Sequence, residues 1–162
     1  VLQRARWIDR ALIIDLDVHQ GDGTARIFEG DPTVMTLSVH AQHNYPTQKA
    51  RSDVDIALPD QMKDEAYLDV IRAAIPRALD AFHPDMVFYN AGVDPHAGDK
   101  LGRLALTQEG LEARDWFVLE QVRGRGLPVA GVIGGGYGQD HDEVGVRHAT
   151  LHRVMDRFLK SA

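Results

Sequence analysis

Two carboxylates and one imidazole occupy alternate positions where an apolar segment of the chain ends. Asp15, Asp17 and His19 follow residues 11–14, whose Ala-Leu-Ile-Ile sequence predicts a buried strand. Side chains alternate along a strand, so these three are expected to point the same way at its carboxyl end. Imidazole and carboxylate groups are ligands of catalytic zinc. The spacing therefore favours a metal site over a packed core.

A third carboxylate, Asp94, follows the predicted strand 86–91. Because ligands bind at the carboxyl ends of parallel strands, Asp94 is expected to join Asp17 and His19. One histidine and two acids leave positions open for water and substrate, as catalytic zinc requires. Iron(II) is an alternative, since such sites accept both metals. For an isolated Asp-x-His, a turn-capping Asp beside a surface His would be the simpler interpretation.

Three other residues near these strand ends are candidates for a role in the site. Asp15 could orient another group or bind a second cation, and a buried acid bonded to backbone amides is the alternative. Asp22 lies between two glycines, where an ordinary turn is the simplest interpretation. Tyr137 follows three glycines, and its phenol could donate to a developing oxyanion. A phosphate loop is disfavoured because no Gly-Lys-Ser/Thr ending follows.

Strand-like and helix-like segments alternate along the chain, which predicts an α/β fold with a mainly parallel sheet between helical layers. The predicted strands are 11–17, 34–39, 54–58, 86–91 and 128–133, and the predicted helices are 24–28, 63–83, 107–125 and 144–159. Pro76 falls inside the second helix and could kink it. Residues 1–7 are expected to form the end of a helix.

The remaining histidines are weaker candidates. His40 ends a predicted strand and could line the pocket, with His43 and His96 in loops nearby. The other four are predicted at surface or helix-end positions: His83, His141, His148 and His152.

Composition narrows the class of protein. The chain has 162 residues, about the length of one domain. Its net charge of -6 disfavours nucleic-acid binding, and no segment approaches the roughly 20 apolar residues of a membrane helix. The chain has no cysteine, which excludes disulfides, thiolate metal sites and a cysteine nucleophile. A cytoplasmic location is the expectation.

Four motifs together resemble the zinc-dependent histone deacetylase family, which includes acetylpolyamine amidohydrolases. They are Asp-Leu-Asp-Val-His-Gln-Gly-Asp-Gly at 15–23, Tyr-Asn-Ala-Gly-Val-Asp at 89–94, Gly-Asp-Lys-Leu-Gly at 98–102 and Gly-Gly-Gly-Tyr at 134–137. The tract before Gly92, with Arg114-Asp115 downstream, is most similar to the class IV branch. The resemblance implies the three-layer arginase/deacetylase fold and hydrolysis of acylated lysine or acetylated amines.

The resemblance also implies roles for individual residues. Asp17, His19 and Asp94 would be the zinc ligands, and Tyr137 the oxyanion donor. Asp15 and Asp22 would be the partners of two catalytic histidines.

A structural potassium ion is implied as well, with contributions from Asp15, Asp17, His19, Ser38 and Val39. A second such site would lie around Phe28, Asp31 and Val34. The acyl-lysine channel would be lined by Tyr45, Leu101, Gly135 and Gly136.

One departure from the family pattern is large. The family's tandem histidine pair should precede this segment, yet no histidine occurs before His19. Residues 1–162 are therefore predicted to be a partial domain, the C-terminal portion. The alternative function is a catalytically silent fragment that binds metal or oligomerises. A partial domain would expose apolar surface, which predicts homo-oligomers.

Overall fold

The sheet is parallel throughout and has five strands. The computed structural model describes residues 1–161, and its elements are β1 (Ala11–Asp15), α1 (Asp22–Ile27), β2 (Val34–Ala41), β3 (Val54–Leu58), α2 (Asp64–Phe82), β4 (Met86–Asn90), α3 (Gln108–Arg123), β5 (Val129–Val132) and α4 (His141–Ser161). The strand order is β3-β2-β1-β4-β5, and every neighbouring pair is parallel. The predicted α/β fold with a mainly parallel sheet is confirmed.

The chain reverses its direction of travel across the sheet at the centre. It moves outward from β1 to β3 and then crosses back to place β4 on the other side of β1. Ligands of open α/β sheets bind in the crevice beside such a reversal. Asp15 pairs in register with both Ser38 and Asn90, so the loops that follow β1 and β4 start side by side.

The two faces of the sheet are buried to different extents. Helix α3 packs between α2 and α4, and Leu12, Ile14 and Tyr89 on the face toward α3 are fully buried. Ile13 and Phe88 alternate with these residues and point to the opposite face, where they are only half-buried. The apolar strands thus form a core on the helix-covered face.

Most predicted elements occur within two or three residues of their expected ends, with three differences in detail. The strand predicted for 11–17 stops at Asp15. Helix α2 continues through Pro76 to Phe82. Residues 1–7 form a turn with helix-terminal hydrogen bonds, in which the Trp7 amide donates to the Leu2 carbonyl (3.1 Å) and Arg6 has a φ of 57°.

Among the described residues, none of the helices combines the length and hydropathy needed for a transmembrane segment.

Candidate metal centre

Two successive aspartate turns carry the chain out of β1 and into the site. The Asp17 amide donates to Asp15 Oδ1 (3.1 Å), and the His19 amide donates to Asp17 Oδ1 (2.9 Å). Aspartate side chains that bond to the backbone two residues later replace strand pairing with a turn. The expectation that Asp15, Asp17 and His19 share one face of a continuous strand is therefore wrong, because strand alternation ends at Asp15.

Asp17, His19 and Asp94 nevertheless converge. His19 Nδ1 lies 2.9 Å from Asp17 Oδ1 and 3.0 Å from Asp94 Oδ2. One ligand atom from each residue lies within 4.8 Å of the other two. Tetrahedral zinc with bonds of about 2.0–2.2 Å holds neighbouring ligand atoms roughly 3.3 Å apart. The three side chains that the sequence singled out therefore have the spacing of a metal-ligand set.

A buried oxygen of Asp94 also indicates a cation. Asp94 is fully buried, and its Oδ1 accepts a hydrogen bond from the Val18 amide (2.8 Å). Its Oδ2 is buried too and forms an ion pair with His19 Nδ1 (3.0 Å), although it receives no well-aligned hydrogen bond from the described residues. A buried carboxylate needs a positive partner, and His19 supplies one only while its ring holds a proton. A divalent ion between Asp94 and His19 would satisfy it, and the residues fit that role.

The electrostatics of this cluster favour positive charge where the three side chains meet. The carboxylates of Asp17 and Asp94 raise the pKa of His19 to about 10. Burial acts to raise the pKa of Asp17, but hydrogen bonds from His19 and Gly135 outweigh it and hold that pKa below its usual range. Burial raises the pKa of Asp94. A bound cation would take the place of the proton that His19 otherwise holds.

The glycine-rich loop after β5 lies directly on this cluster. The Gly135 amide donates to Asp17 Oδ2 (2.6 Å), and a Cβ at Gly135 would collide with both Asp17 and Asp94. A Cβ at Gly92 would lie 2.8 Å from the Asp17 Cα. Only glycine permits these approaches of backbone to carboxylate.

Asp15 precedes the cluster at the end of β1 and is buried. Its Oδ1 accepts hydrogen bonds from the Asp17 amide and from Asn90 Nδ2 (2.9 Å). Burial raises the pKa of Asp15 to about 7. Ser38, a predicted potassium contact, pairs in register with Asp15, and its Oγ lies 3.0 Å from His40 Nδ1. Potassium binding at these residues and at Val39 stays a prediction.

Asp22 begins the short helix α1, where its carboxylate lies 3.5 Å from Arg26 Nε. Within residues 1–161, neither Asp15 nor Asp22 forms an ion pair or hydrogen bond with a histidine side chain. Their predicted role as histidine partners therefore stays a prediction.

Tyr137 and two predicted channel residues are open to solvent. The exposed fractions are 43% for Tyr137, 50% for Leu101 and 70% for Tyr45. The Tyr137 ring lies edge-on to His19, with ring centroids 6.0 Å apart. Tyr137, Leu101 and Gly136 line a depression of about 380 Å³ beside the cluster. The predicted oxyanion donor thus reaches the edge of the metal-ligand set.

The buried ion pair of Arg114 and Asp115 supports the loops that carry the cluster. In the sequence, this pair stands out only as part of the tract that resembles the histone deacetylase family. Arg114 is fully buried in α3, where its Nη1 donates to the carbonyls of Leu16 (3.2 Å) and Gly92 (2.7 Å). Its Nε donates to Asp115 Oδ1 (2.9 Å), which also accepts from the Tyr89 hydroxyl. Arg114 therefore ties the two loops that carry the ligands.

Helical spacing could have revealed the burial of this pair. Arg114 lies three residues after Leu111 and four before Val118, and Asp115 lies four after Leu111 and three before Val118. This helical spacing places both on the apolar face of α3. The structure differs from the sequence prediction at His148, for which the sequence predicts a surface or helix-end position. His148 lies half-buried in α4, and a Cβ at Gly136 would come within 2.8 Å of its Nε2.

The fold and the cluster together define a class: an α/β protein with a group of residues that could hold a metal ion at the carboxyl edge of its sheet. The sequence profile of the histone deacetylase domain matches residues 1–153. The chain belongs to the histone deacetylase family.

Similar proteins agree with this membership. The chain is 49% identical over 153 residues to an uncharacterized protein of Picosynechococcus, covering 94% of this chain and 51% of that protein. It is 30% identical to a probable deacetylase of Methanothermobacter thermautotrophicus, covering 95% and 48%. The acetylpolyamine aminohydrolase structure from Burkholderia pseudomallei shares the fold, with a TM-score of 0.78, 23% identity and coverage of 93% and 46%. The chain spans about half the length of the curated relatives it matches.

Proposed function

We propose that this chain carries the metal-binding and oxyanion-stabilising part of a zinc-dependent amidohydrolase. The substrates would be acetylated or otherwise acylated lysine side chains, or small acetylated amines. The observation that carries the proposal is the convergence of one imidazole, His19, and two buried carboxylates, Asp17 and Asp94, within 4.8 Å of one another. Family membership and a relative named a probable deacetylase support the same reaction class.

The three ligands would hold the metal and leave a position open for the reactants. A zinc ion there would polarise the amide carbonyl and lower the pKa of a water molecule. Iron(II) suits the same ligand set. Two carboxylates that face one imidazole keep the ligands in place before a metal arrives, so little rearrangement is needed on binding.

The Tyr137 hydroxyl would donate a hydrogen bond to the oxygen on which negative charge develops. Burial and the nearby carboxylates of Asp94 and Asp17 raise the pKa of Tyr137. A raised pKa keeps the phenol protonated at neutral pH, as a hydrogen-bond donor must be. A donor that meets charge only in the transition state accelerates the chemical step.

Proton transfer would need a histidine pair that Asp15 and Asp22 orient, as the family resemblance implies. Asp15 now bonds to Asn90 and backbone, and Asp22 lies against Arg26. We propose that such histidines come from outside this chain. We also propose a structural potassium ion beside Asp15 and Ser38.

A silent metal-binding fragment is the second candidate function. The observation that favours it is that Asp15 and Asp22 contact no histidine side chain in the part of the chain described. Such a fragment would bind zinc through the same three ligands without turning over substrate.

Metal content and hydrolysis, measured on the same preparation, test the two candidates. Zinc is quantified by mass spectrometry, and activity is followed with a fluorogenic acetyl-lysine peptide. Stoichiometric zinc with hydrolysis would rule out the silent fragment, whereas zinc without hydrolysis is the result expected of either candidate while the histidine pair lies outside this chain. A chain that takes up no zinc would contradict both. Asp60→Ala controls for the loss of a carboxylate outside the cluster and should take up zinc as the natural chain does. Asp60 also lies against a histidine, His43 (3.2 Å), but in an exposed pair.

We also propose that this chain self-associates, is cytoplasmic and binds no nucleic acid. Ile13 and Phe88 leave one sheet face half-buried, and Val132 and Ile133 at the end of β5 are more than half exposed. Apolar surface of this kind favours association. Light scattering across a concentration series would detect it, and a strictly monomeric chain would refute it.

A further inference from the structure

We propose that Asp99 is a positioning residue for Tyr137, so that one carboxylate sets where the oxyanion donor lies. The proposal rests on the function proposed above for Tyr137. It is carried by hydrogen bonds that join the loop after β4 to the glycine-rich loop after β5. The hydrogen bonds that the described residues make to the Asp99 carboxylate come from backbone amides.

Tyr137 has few local means of holding its place. It lies in the segment between β5 and α4, with Gly136 before it and Gly138 after it. Glycines carry no side chain to pack and leave the backbone free to rotate. The Tyr137 ring is nearly half exposed and lies edge-on to the His19 ring, so packing restrains it only in part. Something else must fix its backbone.

The segment 99–100 bonds to both backbone polar groups of Tyr137. The Tyr137 amide donates to Asp99 Oδ2 (2.6 Å), and the Lys100 amide donates to the Tyr137 carbonyl (2.9 Å). Two bonds on opposite sides of one residue fix both its position and its rotation. A bond from an amide to a carboxylate is also stronger than one between neutral groups.

Asp99 is itself held firmly. Its Oδ1 accepts hydrogen bonds from the amides of Leu101 and Gly102, both at 2.8 Å. Gly102 in turn packs against the Asp94 carbonyl so closely that a Cβ there would collide with it. Asp99 thus connects Tyr137 to the backbone of a metal ligand, which explains how an exposed tyrosine can keep its distance from the ligand set.

Amide hydrogen exchange of Tyr137 in the isotopically labelled full chain tests the contact without requiring activity. In Asp99→Ala the Tyr137 amide loses its acceptor, so its exchange should accelerate by roughly tenfold or more, the effect of losing a charged hydrogen bond. Asp99→Asn keeps the size of the side chain and one oxygen, and it should fall between Asp99→Ala and the natural chain. Should Asp99→Ala fail to fold, Asp99→Asn carries the test.

Asp85→Ala is the matched control. Asp85 Oδ2 also accepts two backbone amides, those of Asp9 and Arg10, both at 2.8 Å, but at the opposite edge of the sheet. That variant should leave Tyr137 exchange unchanged. Tyr137 exchange that is the same in Asp99→Ala as in the natural chain would overturn the proposal.

A double-mutant cycle distinguishes positioning from a general structural role. Asp99→Ala should lower kcat in the natural background by roughly tenfold or more, yet have little effect in a Tyr137→Phe background. Zinc content should not change. An equal loss of kcat in both backgrounds, or a loss of zinc, would refute a role through Tyr137. If no variant, including the natural chain, hydrolyses substrate, the exchange data alone decide the Asp99–Tyr137 contact, and failure of the proposed function is recognised separately by a chain that takes up no zinc.

Discussion

The floor of the site (Asp17, His19 and Asp94) and its rim (Tyr45, Leu101 and Tyr137) differ in burial and in what holds them. Asp17 and Asp94 are buried, and their loops are tied from below by the Arg114 guanidinium. The rim is exposed, and Tyr137 is held mainly by the loop that contains Asp99. Buried charges need satisfied partners, whereas exposed residues need only enough bonds to define a position. Mutations in the floor should therefore lower the metal affinity and the free energy of unfolding, and mutations in the rim should lower kcat.

The largest expected effect is the loss of metal from the floor. Asp94→Ala removes a proposed ligand, so zinc affinity should fall by more than the roughly 10–100-fold that follows loss of an outer partner. Competition with a chromophoric chelator measures the affinity. Asp60→Ala, from the exposed His43 pair, should bind zinc as the natural chain does. Undiminished zinc in Asp94→Ala would remove Asp94 from the ligand set.

Loss of the Arg114–Asp115 ion pair beneath the floor should have a large effect on the free energy of unfolding. Arg114→Met leaves the Asp115 carboxylate buried without its partner, so the free energy of unfolding should fall by about 3–5 kcal/mol. Arg72 pairs with Glu65 and Asp69 on the surface of α2, and Arg72→Met should cost about 1 kcal/mol or less. Urea denaturation of both variants measures the difference. Equal costs would show that the buried pair does not anchor the ligand loops.

A change at the rim should slow the reaction without loss of metal. Tyr137→Phe removes one oxyanion donor, which typically costs about 3–4 kcal/mol, or roughly 100–1,000-fold in kcat. Zinc content should equal that of the natural chain, because the Tyr137 hydroxyl is not one of the predicted ligands. Unchanged turnover in an active preparation would refute the role of Tyr137.

The smallest expected effect lies far from both regions, at Asp85. Amide hydrogen bonds from Arg10 and Asp9 hold the pKa of Asp85 below its usual range. Because the folded-state pKa is lower than the unfolded one, this stabilisation exists above about pH 4 and is lost as pH falls through the folded-state value. Asp85→Asn should cost about 1 kcal/mol or less at pH 7, since the group is exposed. Thermal unfolding at pH 7 and pH 3 checks this, and a cost that grows at pH 3 would contradict it.

The sequence predicted the fold class, and it predicted that Asp17, His19 and Asp94 come together at one edge of the sheet. Apolar segments alternate with amphipathic ones over short distances, and that local pattern is enough to predict strands, helices and a parallel sheet. Asp17, His19 and Asp94 could be selected because each follows a strand, and strand ends of a parallel sheet meet at one edge. These inferences depend on residue type and spacing alone.

A local turn and residues that are distant in sequence decided the rest. The strand ends at Asp15 because its side chain bonds to the Asp17 amide, which a period of two cannot reveal. Arg114 supports Leu16 and Gly92 from a helix far along the chain, and Asp99 holds Tyr137 across two loops. Such bonds depend on where the packed elements bring side chains together. The sequence by itself therefore determined which groups could bind the metal, and only the tertiary structure decided what holds them in place.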